Sequence, residues 1–202
     1  MNRKVDRVNE AMEQAKEAAD IYKRLNKKMA QAQSWHILAL LLYNDNQLGA
    51  AEETASRVIS LLLDKGGQHT ICQSHCLLGD IYSSKGKTKK ALDHYKTALR
   101  IASSFDWPGE QFRIHHSLAN LFLGQNRFDV AHAHAEHAKS HAINHPYKLG
   151  LAMELQARIW YNQCRLEEAK SEALRAINVY EKIGATKDVE DCRAILRDIE
   201  RQ

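Results

Sequence analysis

The chain has 202 residues, 44% of them apolar and 27% charged, with two prolines and no low-complexity stretch, a composition that favours helix and excludes disorder. A formal charge of +4 is mild for this length and does not demand nucleic acid as a partner. The longest apolar run, Ile37 to Tyr43, is too short to span a bilayer, and the charged start Met1-Asn2-Arg3-Lys4 has no apolar segment behind it, so neither a membrane span nor secretion is expected. Four cysteines (Cys72, Cys76, Cys164, Cys192) do not make a disulfide framework, which points to a reducing compartment with the cytoplasm as the default.

Hydrophobic periodicity predicts helices over 3–26, 30–44, 47–64, 69–85, 88–104, 109–124, 128–143, 148–163, 166–183 and 187–200, with no competing strand pattern. The first helix carries Ala11, Ala15 and Ala18. The next pair carries Trp35, Leu38, Ala39 and Leu42, then Leu48, Ala51, Ala55 and Val58. The same register returns as His75, Leu78, Gly79, Tyr82, Ala91, Tyr95 and Ala98, and again as His115, Leu118, Ala119, Phe122, Ala131, Ala135 and Ala138. A last copy reads Met153, Gln156, Ala157, Trp160, Ala169, Ala173 and Ala176. Polar or glycine turns (Asn44-Asp45-Asn46, Gly86, Gly124-Gln125-Asn126) lie within pairs, and Pro108 and Pro146 lie between them.

The central small residues Ala39, Gly79, Ala119 and Ala157 stand 40, 40 and 38 residues apart. Small residues at these places let the two helices of a pair approach closely, while the remaining apolar face must be buried by stacking on the next pair. The spacing resembles the W-x2-L-G-x2-Y…A-x3-F pattern of the tetratricopeptide (TPR) repeat. That resemblance implies an all-α fold, a right-handed TPR superhelix (α-solenoid) of antiparallel helix pairs. It divides one domain, 1–202, into a half repeat at 1–28, full repeats at 29–67, 68–107, 108–146 and 147–185, and a capping helix at 186–202. Residues Ala152 to Tyr161 and Arg165 to Lys170 further resemble the C-terminal TPR arrays of fungal NLR-like (STAND) ATPases, implying a sensor or adaptor array.

In TPR proteins the first helix of each pair lines the concave groove. The resemblance therefore implies a binding wall of Gln33, His36, Leu40, Tyr43, Asn44, Gln73, Asp80, Arg113, His116, Asn120, Glu154, Arg158, Tyr161 and Asn162, with Cys76 among them. Amides such as Asn44, Asn120 and Asn162 can bond both polar groups of a peptide backbone, and Arg113 and Arg158 can fork onto a carboxylate or phosphate. The partner expected is a protein or peptide.

Other constellations point elsewhere with less force. His134, His137 and His141 recur on one helix face, yet no cysteine or carboxylate completes a metal set locally, so a solvated face is expected. His69, Cys72 and Cys76 lack a fourth ligand, and the cysteines read as small hydrophobes. Gly86-Lys87-Thr88 imitates the end of a phosphate loop, but Ile81 stands where its first glycine belongs. No nucleophile motif is present, so no catalytic residue, metal or cofactor is assigned. Two alternatives remain: single-stranded nucleic-acid binding through Lys85, Lys87, Lys89, Lys90 and Arg113, and self-association through the incomplete first repeat.

Overall fold

A computed structural model describes residues 3–63 and 66–201, with the side chains of 3–6 outside that description. Among the described residues there are ten helices and no strand: α1 Arg3–Arg24, α2 Lys28–Asn44, α3 Leu48–Leu62, α4 Gln68–Ser84, α5 Thr88–Ser104, α6 Pro108–Leu123, α7 Phe128–Ser140, α8 Pro146–Asn162, α9 Leu166–Lys182 and α10 Thr186–Glu200. The all-α, paired-helix architecture expected from the register is present. The expected helix bounds agree within three residues except at residue 64, which lies outside the described residues.

The helices form two compact units, residues 1–105 and 106–202. In the first, α1 packs on α2, α2 pairs with α3 and α4 with α5, while α3 and α2 both touch α4. In the second, α6 pairs with α7 and α8 with α9; α7 and α6 touch α8, and α10 closes on α9 and α8. The first helix of each pair is hereafter A and the second B.

Close approach within a pair is enforced by small residues. Ala39, Ala51, Ala55, Ala91, Ala98, Ala119, Ala131, Ala135, Ala138, Ala157, Ala169, Ala173 and Ala176 are all fully buried. Two glycines mark the tightest points. A Cβ on Gly79 would lie 2.4 Å from the Tyr95 ring, and one on Gly150 would lie 2.5 Å from the Tyr180 ring. Each ring is locked from the other end, since Tyr95 Oη donates to Asp80 Oδ1 at 2.7 Å and Tyr180 Oη to Glu154 Oε2 at 3.2 Å.

None of α2 to α10 has a side-chain N-cap bond, and the turns explain how they manage without one. Among the described residues a positive φ recurs every twenty residues at Asn26, Asn46, Gly66 (with Gly67 beside it), Gly86, Asp106 and Asn126, and then at Cys164 and Gly184. In six of these turns the next residue donates its N–H to the carbonyl five back: Lys27 to Tyr22, Gln47 to Leu42, Lys87 to Tyr82, Arg127 to Phe122, Arg165 to Trp160 and Ala185 to Tyr180, at 2.8–3.0 Å. This is the six-to-one bond of a Schellman turn, whose last residue is also the first flanking residue of the next helix. The apolar contact that usually accompanies it becomes cation–π in two turns: the Arg127 guanidinium lies 4.8 Å from the Phe122 centroid and that of Arg165 lies 3.9 Å from Trp160.

Two stability outcomes follow from this geometry. Cys164 occupies the left-handed region at φ 58°, which glycine adopts without strain, so Cys164→Gly should raise unfolding stability by about 0.5–1 kcal/mol, measured by denaturant titration. Gly79→Ala should lose about 1–3 kcal/mol in the same assay despite its better helix propensity, because the added methyl enters the Tyr95 ring.

Candidate functional site

The A helices of each unit lie side by side, and on them stand the residues that the sequence places in a groove. In the first unit Gln33 and Asn44 are exposed on α2, and Leu40 and Tyr43 are half-buried. Tyr43 Oη lies 3.2 Å from Ser84 Oγ of α4, tying the two A helices together. His36 sits differently from expectation. It is buried, with Nδ1 3.1 Å from Ser74 Oγ, because its side of α2 faces α4. Cys76 is fully buried, so it is no groove thiol. Gln73 and Asp80 are half-buried, and Asp80 is held as the acceptor for Tyr95.

In the second unit the wall is more open and more charged. Arg113 Nε bonds Glu110 Oε2 at 3.3 Å on its own helix. His116 stacks on Phe112 with centroids 5.7 Å apart, and burial first, then the Arg158 charge, lower its pKa to about 4. Asn120 Nδ2 donates to the His116 carbonyl at 3.0 Å, leaving its amide oxygen to accept from a ligand. Burial raises the pKa of Glu154, which also accepts from Tyr180. Asn162 is exposed and donates to the Arg158 carbonyl at 2.8 Å; Tyr161 is half-buried. Arg158 is exposed, and among the described residues its guanidinium has no hydrogen-bonded or ion-paired partner. Its charge acts on His116, which burial keeps neutral, and on Glu154, and the five donors of a guanidinium can fork onto a carboxylate or a backbone carbonyl.

The histidines form the solvated face expected only in part, since His137 is exposed while His134 and His141 are half-buried. His134 and His137 of α7 and His141 at its C-cap surround His115 of α6, with ring centroids 5.2, 4.9 and 6.0 Å away. His115 Nδ1 lies 3.0 Å from His134 Nδ1, a separation at which one ring must donate and the other accept. Forty residues earlier the device recurs, with His75 Nδ1 2.9 Å from His94 Nδ1. Tyr82 stacks on His94 and Phe122 on His134. Among the described residues no group of three or more histidine, cysteine or acidic side chains could hold a metal ion. Cys72 is buried and donates Sγ–H to the Ala98 carbonyl at 3.3 Å, as a small core residue does.

The lysines read as a nucleic-acid stripe are partly engaged elsewhere. Lys85 is ion-paired with Glu52, which also accepts from Tyr82, and Lys90 Nζ lies 5.2 Å from the Tyr82 ring centroid.

The geometry defines a class: a helical-repeat protein of TPR type, built of paired helices. The profile of the soluble NSF attachment protein (SNAP) family matches residues 3–148, well over half of the chain, and the chain belongs to that family. No curated protein sequence matches it. Among solved structures it is similar to BtubC (BKLC) from P. vanneervenii, with TM-score 0.73, 16% identity and coverage of 96% of this chain and 91% of that one. It is also similar to the apo form of RapI, with TM-score 0.74, 12% identity and coverage of 92% and 54%. A third is the Podospora anserina putative kinesin light chain with nearly identical TPR-like repeats, with TM-score 0.67, 16% identity and coverage of 90% and 91%. The chain thus spans about half the length of RapI, and at these identities the likeness is one of fold. No helix among the described residues is long and apolar enough to cross a membrane.

The paired histidines carry a pH dependence whose sign is fixed by their burial. Desolvation, reinforced by His94 and Arg100 around His75 and by His134, His137 and His141 around His115, lowers both pKa values to about 4. The unfolded chain, with ordinary histidines near 6.5, therefore takes up protons that the folded chain refuses, and stability falls as pH drops from about 6.5 towards 4. The denaturant midpoint should be lower at about pH 5 than at about pH 7.5, and His115→Phe should reduce that difference.

Proposed function

We propose that the chain is a protein-interaction scaffold that holds an extended peptide or a segment of a partner protein against the A-helix wall of its second unit. The observation that carries this reading is the exposed Arg158 guanidinium, which has no hydrogen-bonded partner among the described residues and stands on the helix next to that of Asn120 and His116, since such an arginine is available to a partner's oxygen atoms. Arg113, Tyr161 and Asn162 extend the surface along α6 and α8. Gln33, Leu40, Tyr43, Asn44 and Gln73 offer a second, less charged wall in the first unit. Asp80 and Glu154 serve the wall as anchors for Tyr95 and Tyr180 more than as contacts.

Family membership supports an adaptor role, because the family's name is that of an attachment protein. The finer form of the reading is an adaptor or sensor array of a larger signalling ATPase, for which the support is the resemblance of residues 152–161 and 165–170 to such arrays. The same reading assigns the chain no catalytic step and a cytoplasmic location, in keeping with Cys72, Cys76 and Cys192 as buried cysteines outside any disulfide.

Substituting Asn120 and Arg158 together by alanine should weaken capture of the partner by about tenfold or more, as loss of a charged hydrogen-bonding pair does. Circular dichroism should show unchanged helicity, because Arg158 is exposed. Undiminished capture from native extract by the double variant would remove this wall from the function.

A further inference from the structure

The repeat register allows equivalent positions to be compared, and at one edge of the first unit the comparison fails. Residues 37, 77 and 155 occupy the same place on α2, α4 and α8, as do 41, 81 and 159 one turn later. Leu77 and Leu155 are each 1% exposed, and Ile81 and Ile159 are fully buried, because α4 packs on α2 and α8 on α6. Ile37 is 53% exposed and Leu41 is only half-buried. The B-type helix α1 shows the same deficit. Ala11 and Ala18 are half-buried, although their counterparts Ala51, Ala91 and Ala131, and Val58, Ala98 and Ala138, have no exposed surface. Ile21 is 39% exposed where Ile101, two repeats on, is 7%. Among the described residues, α1 pairs with α2 alone.

All five positions lie where an A helix would pack in the other repeats. We propose that this α1–α2 edge is the docking site for an amphipathic helix of a partner protein that takes the A-helix position. The complementary chemistry can be read from the helices that fill the position elsewhere. The A helices are 16–17 residues long with Ala or Gly at the centre; Leu precedes it in α2, α4 and α6, and an aromatic stands three residues further on in α4, α6 and α8, so that both coincide in Leu78-Gly79…Tyr82 and Leu118-Ala119…Phe122. At Gly79 the small central residue meets the Tyr95 ring of the B helix, a place where α3, α7 and α9 carry alanine, and the flanking apolar residues reach the next A helix. Continuity with the interface already repeated through the chain specifies a helix here, since only a helix meets an alanine row on one side and Ile37 and Leu41 on the other.

The best probe is α6 itself. It sits on α7, whose Ala131, Ala135 and Ala138 repeat the Ala11, Ala15 and Ala18 of α1, and against α8, whose Leu155 and Ile159 repeat Ile37 and Leu41. A fluorescein-labelled synthetic peptide of residues 108–123 should bind the intact chain with a saturable rise in polarisation. Ile37→Glu should weaken binding about tenfold or more while leaving helicity unchanged, because the side chain is exposed. A peptide carrying Ala119→Arg should not bind, since the arginine prevents close approach to the alanine row.

Absence of binding overturns the proposal, and so does binding that Ile37→Glu leaves intact, which would mean that the peptide displaces its own copy in the second unit. A concentration-dependent dimer in sedimentation that Ile37→Glu dissolves would assign the face to a second copy and overturn it as well. None of these outcomes bears on Arg158 and Asn120, which lie in the other unit.

Discussion

Every part of this structure depends on how closely the two helices of a pair can approach. An alanine at the crossing sets the separation, and glycine sets it at Gly79 and Gly150, where an aromatic ring lies against the backbone itself. That contact aims the tyrosine hydroxyls of Tyr95 and Tyr180 at Asp80 and Glu154 on the A helices. The packing that holds a pair together thereby determines which acidic groups on the wall are spoken for. What remains unengaged, Arg158 above all, is a consequence of the same geometry rather than a separate feature.

Much of this was legible from residue spacing because the small residues do the same work in each repeat. Ala39, Gly79, Ala119 and Ala157 announce the A helices, and the alanine rows announce the B helices. The left-handed turns were visible where glycine or asparagine occupies them, as at Gly86 and Asn126. Cys164 gave no such signal, since its residue type does not mark that backbone conformation. Counting positions placed the expected wall residues on the A helices but could not tell which side of an A helix its neighbour would cover. His36 and Cys76 were lost to burial for that reason.

The polar interior was the least legible part. His134, His137 and His141 share a helix face, which suggested solvent, but only the facing helix reveals that His115 lies among them. Gln156 occupies a slot filled by leucine in the earlier repeats. It is 1% exposed and is satisfied by Lys139, at 2.9 Å, and by Glu136, while Lys139 also reaches Glu172 at 2.5 Å. Such networks join residues from three helices, and no local pattern in the chain foreshadows them.

The twenty-residue beat of left-handed turns is interrupted once, between Asn126 and Cys164, where thirty-eight residues replace forty. The interruption coincides with the shortest of the ten described helices, α7, and with a joint that reaches α8 through extended His145 and Pro146 instead of a left-handed residue. Most of the other joints turn through one left-handed residue and so have little tolerance for gain or loss of residues there. The segment from His141 to His145 is therefore the splice point of the array, where its length can change without forcing the neighbouring repeats out of step.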